Sequence, residues 1–126
     1  MSKKLVRRCL NIAKSYIDNN KELEPNKHFS FIIQGTSIIS IGLNKRGHVP
    51  TRLKYNSFSN IHSEVDAYKK AKPFLKTSKR WHIINIRLNN AKETMLAAPC
   101  VCCTEYLKIL GCNRVIYSDF DNKFIK

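Results

Sequence analysis

The sequence predicts an α/β fold, in two or three layers, with helices flanking a mixed central sheet of about four to five strands. Three observations predict it. A 3.6-residue apolar period opens the chain, two β-rich runs joined by "GTS" follow it, and strand and helix patterns then alternate to the end. Alternation of that kind implies parallel neighbours, with sites at the C-terminal ends of the strands.

Leu5, Val6, Cys9, Leu10, Ala13, Tyr16 and Ile17 recur at three- and four-residue steps, so residues 3–18 form an amphipathic helix with lysines and arginines on its wet side. The polar stretch "DNNKELEPNK" breaks it. The runs "HFSFIIQ" and "SIISIGLN" form an antiparallel hairpin with Gly35 in its turn. From Lys45 to Asn60 no period is visible, and basic residues mix with Tyr55 and Phe58; irregular segments of this length in compact domains are usually functional or mobile. Val65, Tyr68, Ala71 and Leu75 mark a second helix that ends near Pro73. The strand "WHIINIRL" and the polar turn "NNAKE" come next. Residues 100–110 form a third helix, stopped by Gly111, before the strand "NRVIYS".

At 126 residues the chain fits a single domain, 1–126, and contains no internal repeat or low-complexity tract. Its 23 lysines and arginines against 9 acidic residues give a charge of +14, a field that favours anionic partners, although solubility alone also explains it. Apolar runs never reach the length of a membrane span, and the N-terminus lacks the apolar core of a signal peptide. The expected location is intracellular, cytoplasmic or nuclear, without a membrane. A likeness of the first helix to basic targeting helices leaves an organelle open. Five cysteines, odd in number and clustered, read as thiols for metal or catalysis and not as a disulfide framework. Cys9 and Cys112, alone among apolar neighbours, read as core.

The cluster is "PCVCC". Cys100 and Cys103 stand in the first turn of the third helix behind Pro99, where unpaired amides and the helix dipole stabilise thiolates. A C-x-x-C pair serves metal or redox chemistry equally well. His62 and Glu64 open the second helix in "NIHSEVDAY". A lone H-x-E is usually a surface pair. Joined to the cysteines, His62, Cys100 and Cys103 make three zinc ligands and leave a fourth position open, as catalytic sites do. The competing pair, Cys100 with Cys102, points about 200° apart on a helix, which leaves Cys102 as packing.

These residues, H-x-E at 62–64 and P-C-x-x-C at 99–103, resemble the signature of the zinc-dependent cytidine and deoxycytidylate deaminase superfamily. The resemblance implies a cytidine deaminase-like three-layer sandwich, a Zn²⁺ cofactor and hydrolytic conversion of cytosine to uracil. Zinc would lower the pKa of its water towards about 7 for attack on C4, and Glu64 would shuttle the proton to N3 and the leaving amino group. Asn44, past the second strand, would bind the sugar; read plainly it is a turn asparagine. Backbone groups at Ser63 and Ala98 would hold the base edge, and Phe58 would stack on the base or pack under the loop.

Departures from the familiar pattern bear on the substrate. "HSE" replaces the frequent "HAE", no tryptophan precedes Pro99, and the usual C-terminal elements are missing or reduced to "DFDNKFIK". The basic aromatic segment 45–58 favours single-stranded nucleic acid as the substrate. The alternatives are free dCMP, CMP or (deoxy)cytidine, a catalytically silent zinc-stabilised nucleic-acid-binding module, and a thiol oxidoreductase built on Cys100 and Cys103. A sheet edge left bare by the missing strand makes a homo-oligomer plausible.

Overall fold

The computed structural model describes residues 3–19, 27–46, 60–89, 91–99 and 101–125. Helix α1 (Lys3–Asn19) is followed by strands β1 (Lys27–Gln34), β2 (Ser37–Leu43), β3 (Lys45–Arg46) and β4 (Asn60–Ile61), then by helix α2 (Ser63–Ala71). Strands β5 (Trp81–Leu88) and β6 (Thr94–Met95), helix α3 (Val101–Ile109), and strands β7 (Cys112–Ser118) and β8 (Phe124–Ile125) complete it.

The main sheet runs β2-β1-β5-β7-β8, with β6 paired to β5. β1 is antiparallel to both β2 and β5, whereas β5 and β7 are parallel, as a strand–helix–strand crossover requires. Gly35 turns the β1–β2 hairpin at a φ of +65°, a conformation that glycine adopts without steric cost. Six strands form the sheet, and the additions to the expected count are short: β6, and β8 within "DFDNKFIK". The β7–β8 hairpin turns on Asp121 and Asn122, both at positive φ. An Asp-Asn pair suits the twist of such a tight turn.

The two sheet faces carry different cores. On one, Leu5, Cys9 and Ala13 of α1 pack against Phe29, Phe31, Ile33, Ile84, Ile86, Leu88 and Ile116. On the other, Ala67, Ala71 and Leu107 from α2 and α3 cover Ile32, Trp81 and Ile83. Three layers result, because strand side chains alternate between faces and each face is apolar. Each fully buried Phe or Ile contributes roughly 1.5–3 kcal/mol, so most of the stability lies along β1 and β5.

α2 ends at Ala71 and a 3-10 turn with Pro73 in its first positions follows, so Leu75 lies beyond the helix. Gln34 holds the connection to β5: its Nε2 donates to Lys76 O (2.9 Å) and Lys79 O (3.1 Å), and its Oε1 accepts from Lys76 N (2.9 Å). Gly111 stops α3 at a φ of +94°. Among the described residues no helix is long and apolar enough to cross a membrane.

Candidate active site

Three devices set the start of α2 on the sheet. Gly42 lies so close that a methyl group there would overlap Ser63 O and Ala67 N. Asp66, almost wholly buried, accepts a hydrogen bond from Leu43 N (2.9 Å) and pairs with Lys70 (2.9 Å). Ser40 Oγ donates to Ala67 O (2.7 Å). The β3–β4 ladder adds a fourth tie: it pairs Lys45 with Ile61 and Arg46 with Asn60, immediately before His62.

His62 therefore occupies the N-cap of α2 in an extended conformation (φ −70°, ψ 152°), with Ser63 and Glu64 in the first turn. The start of α3 is fixed separately. Ala97 N donates to Ser118 O (2.9 Å), while Ser118 Oγ donates to Met95 O (2.7 Å) and accepts from Arg87 N (3.1 Å), so residues 95–97 are laid along the end of β7 before Pro99.

The two helix starts meet. His62 Nδ1 lies 3.1 Å from the fully buried Cys103 Sγ. Tetrahedral zinc with bonds of about 2.0 Å to nitrogen and 2.3 Å to sulfur holds those atoms about 3.5 Å apart, so this pair needs only a slight opening to share an ion. Cys100 lies outside the described residues, as does Phe58, and among the described residues no third ligand joins the pair. Cys9 and Cys112 are of another kind: burial pushes Cys9 up to about 12 and Cys112 up to about 11, which keeps both protonated and inert.

Glu64 is 6% exposed and ends a buried polar chain. Ser63 Oγ donates to Glu64 Oε1 (3.0 Å), and Ser30 Oγ lies 2.7 Å from both Ser63 Oγ and the Asn85 amide. Each hydroxyl has one proton. With Ser63's given to Glu64, Ser30's single proton is shared between two acceptors, Ser63 Oγ and Asn85 Oδ1. Ser63 Oγ thus donates to Glu64 Oε1, and Ser30 and Asn85 hold Ser63 from behind.

Asn44 Oδ1 accepts from His28 N (3.2 Å), so the expected sugar ligand is also a clasp between the end of β2 and the start of β1. Ala98 is exposed beside the α3 start, whereas Ala97 is buried. Sequence reasoning missed Ser30, Asn85 and Asp66, together with His28 and Arg87, which pair in register across β1 and β5. Burial, and then the charges of Arg87 and His62, push the His28 imidazole down to about 4. Arg87 Nε is buried without a partner among the described residues. The missed signal is period-two polarity: His28 and Ser30 in one apolar strand and Asn85 and Arg87 in the next fall on one sheet face, below α2.

No protein-family model matches the chain, and no curated protein does. Solved structures do. The crystal structure of dCMP deaminase from the cyanophage S-TIM5 in apo form matches with a TM-score of 0.61 at 17% identity, over 94% of this chain and 86% of that one. The same enzyme in complex with dCMP and dUMP matches with a TM-score of 0.60 at 15% identity, over 93% and 82%. The chain shares the fold of these enzymes.

Proposed function

We propose that the protein is a zinc-dependent hydrolytic deaminase of a free cytosine nucleotide of the dCMP class. The observation that carries the reading is the meeting of His62 and Cys103 at two helix starts with Glu64 one turn-position away, buried and held by Ser63. His62 and Cys103, joined by Cys100, would hold the ion. Zinc bound there supplies the Lewis acidity that makes water a nucleophile at neutral pH.

Glu64 does the proton work. Its carboxylate accepts a proton from the water that attacks C4 and returns it to N3, then takes the remaining hydroxyl proton and gives it to the amino group; the C4–amino bond breaks as the C4 carbonyl forms, and ammonia leaves uracil behind. Ser63's hydrogen bond holds the carboxylate in one rotamer through these steps. Asn44, just past the end of β2, would bind the sugar.

A free nucleotide replaces single-stranded nucleic acid as the preferred substrate because the structural neighbour was crystallised with dCMP and dUMP. Residues 47–58 of the segment that favoured a strand lie outside the described residues.

The test is ammonia release from dCMP, CMP, cytidine and an oligonucleotide with one cytosine, beside metal analysis. We expect one zinc per chain and turnover of dCMP. Glu64→Gln should lower kcat by about 10²–10⁴-fold with zinc retained. Zinc without turnover of any substrate would make this a binding module, and a metal-free protein with a redox-active Cys100–Cys103 pair would make it an oxidoreductase. Uracil formed only in the oligonucleotide would restore the strand as substrate.

A further inference from the structure

The outward face of α1 bears Lys3, Lys4, Arg7 and Arg8, all exposed and none with an ion-pair partner among the described residues. The helix has one acid, Asp18, and Lys92 takes it at 2.6 Å. Lys4, Arg7 and Arg8 line, with Asn11, Ser15 and Tyr16, an open groove of about 670 Å³.

The positive field extends beyond the helix. The Asp18–Lys92 contact sets the C-terminal end of α1 beside the turn that follows β5. Its N-terminal half therefore lies towards the other end of the sheet, where Arg80 precedes β5 and His82 pairs in register with Arg114 of β7. His82 and Arg114 share the α1 face, since Ile84 and Ile116, two residues on, pack against α1. Burial first, and then the charges of Arg114, the N-terminus and Arg80, lower the affinity of His82 for a proton.

We propose that this face binds the phosphate backbone of nucleic acid, without reading its sequence. It lies across the sheet from Glu64, so its partner is separate from the substrate of the site. From Lys3 to Lys14 the helix spans about 17 Å, which is long for one nucleotide and suits several consecutive phosphates. A lipid surface fits less well, because an interfacial helix inserts apolar side chains. The large exposed apolar residues here are Phe74, Leu96, Ile109, Phe120 and Ile125, none of them on α1. Base stacking has no platform either: Tyr16 is half-buried, edge-on to Phe29 at 5.8 Å.

The experiment is fluorescence anisotropy of a labelled duplex of A·T pairs only, titrated with the full chain at several salt concentrations. The probe contains no cytosine, so its outcome is independent of the deaminase reading. Binding should weaken linearly in log–log salt. The K4E/R7E/R8E variant should bind about tenfold or more weakly, with a salt slope smaller by about 3. Its unfolding midpoint should stay close to the wild type, because the three exposed side chains have no hydrogen-bond or ion-pair partner among the described residues, and K4Q/R8Q gives a milder version of the same loss. Wild-type affinity in both variants, or no binding of the duplex, overturns the proposal. Binding to phosphatidylserine vesicles with none to the duplex overturns it in favour of a membrane.

Discussion

Ser63 stands where the resembling family often has alanine, and its hydroxyl links Glu64 to two other elements of the fold. Ser63→Ala should lower kcat with little change in KM, because it frees the carboxylate rotamer without touching the sugar side of the site. Ser30→Ala leaves Asn85 and Ser63 each short of a partner, at a cost of about 1–3 kcal/mol of stability. The double variant Ser30→Ala/Ser63→Ala should lose less than the sum of the singles in denaturant unfolding, since the members of a network do not act independently. Additive losses would mean that the chain does not act as a unit. Cys9 gives a pH prediction. Its folded pKa is raised to about 12 from 9.0, so the unfolded thiol ionises first and stability is present below pH 9 and lost as pH rises towards 12. The decline over this window should be shallower in Cys9→Ala, as followed by denaturant midpoints.

At the level of elements, the site depends on how closely α2 approaches β2. Gly42→Ala forces a methyl against Ser63 O and Ala67 N, backbone atoms that move only if the whole helix moves. We expect a loss of roughly 1–3 kcal/mol together with a larger fall in activity than stability alone explains, because His62 and Glu64 ride on that helix. Comparing kcat with the unfolding midpoint separates the two effects. The helices themselves were legible from periodicity in "KKLVRRCLNIAKSYI" and from the stop at Gly111. The two-residue strands β6 and β8 were not, since a strand that short has no period of its own and exists because a neighbour offers it hydrogen bonds.

For the whole molecule, the proposed zinc would join the starts of α2 and α3, which approach from distant parts of the chain. Chelation should abolish activity and lower Tm by a few degrees or more. Hydrogen exchange should quicken around residues 62–66 and 103–104, with little change in 29–33, whose protection comes from the two cores. Uniform acceleration would show that the ion stabilises the fold globally. The charge of +14 also belongs to this scale, because the sheet separates the α1 face from the site and lets one small chain present two unlike surfaces.

The sequence by itself determined the α/β class and the order of the principal elements, and it carries the motif of His62, Glu64, Cys100 and Cys103, because periodicity and residue spacing are local properties of a chain. Only the tertiary structure decided that Ser30, Asn85, His28 and Arg87 gather beneath α2, and that Asn44 clasps the backbone of His28. Those neighbours are set by sheet register and strand order, and both come from pairings between segments that do not meet until the chain has folded.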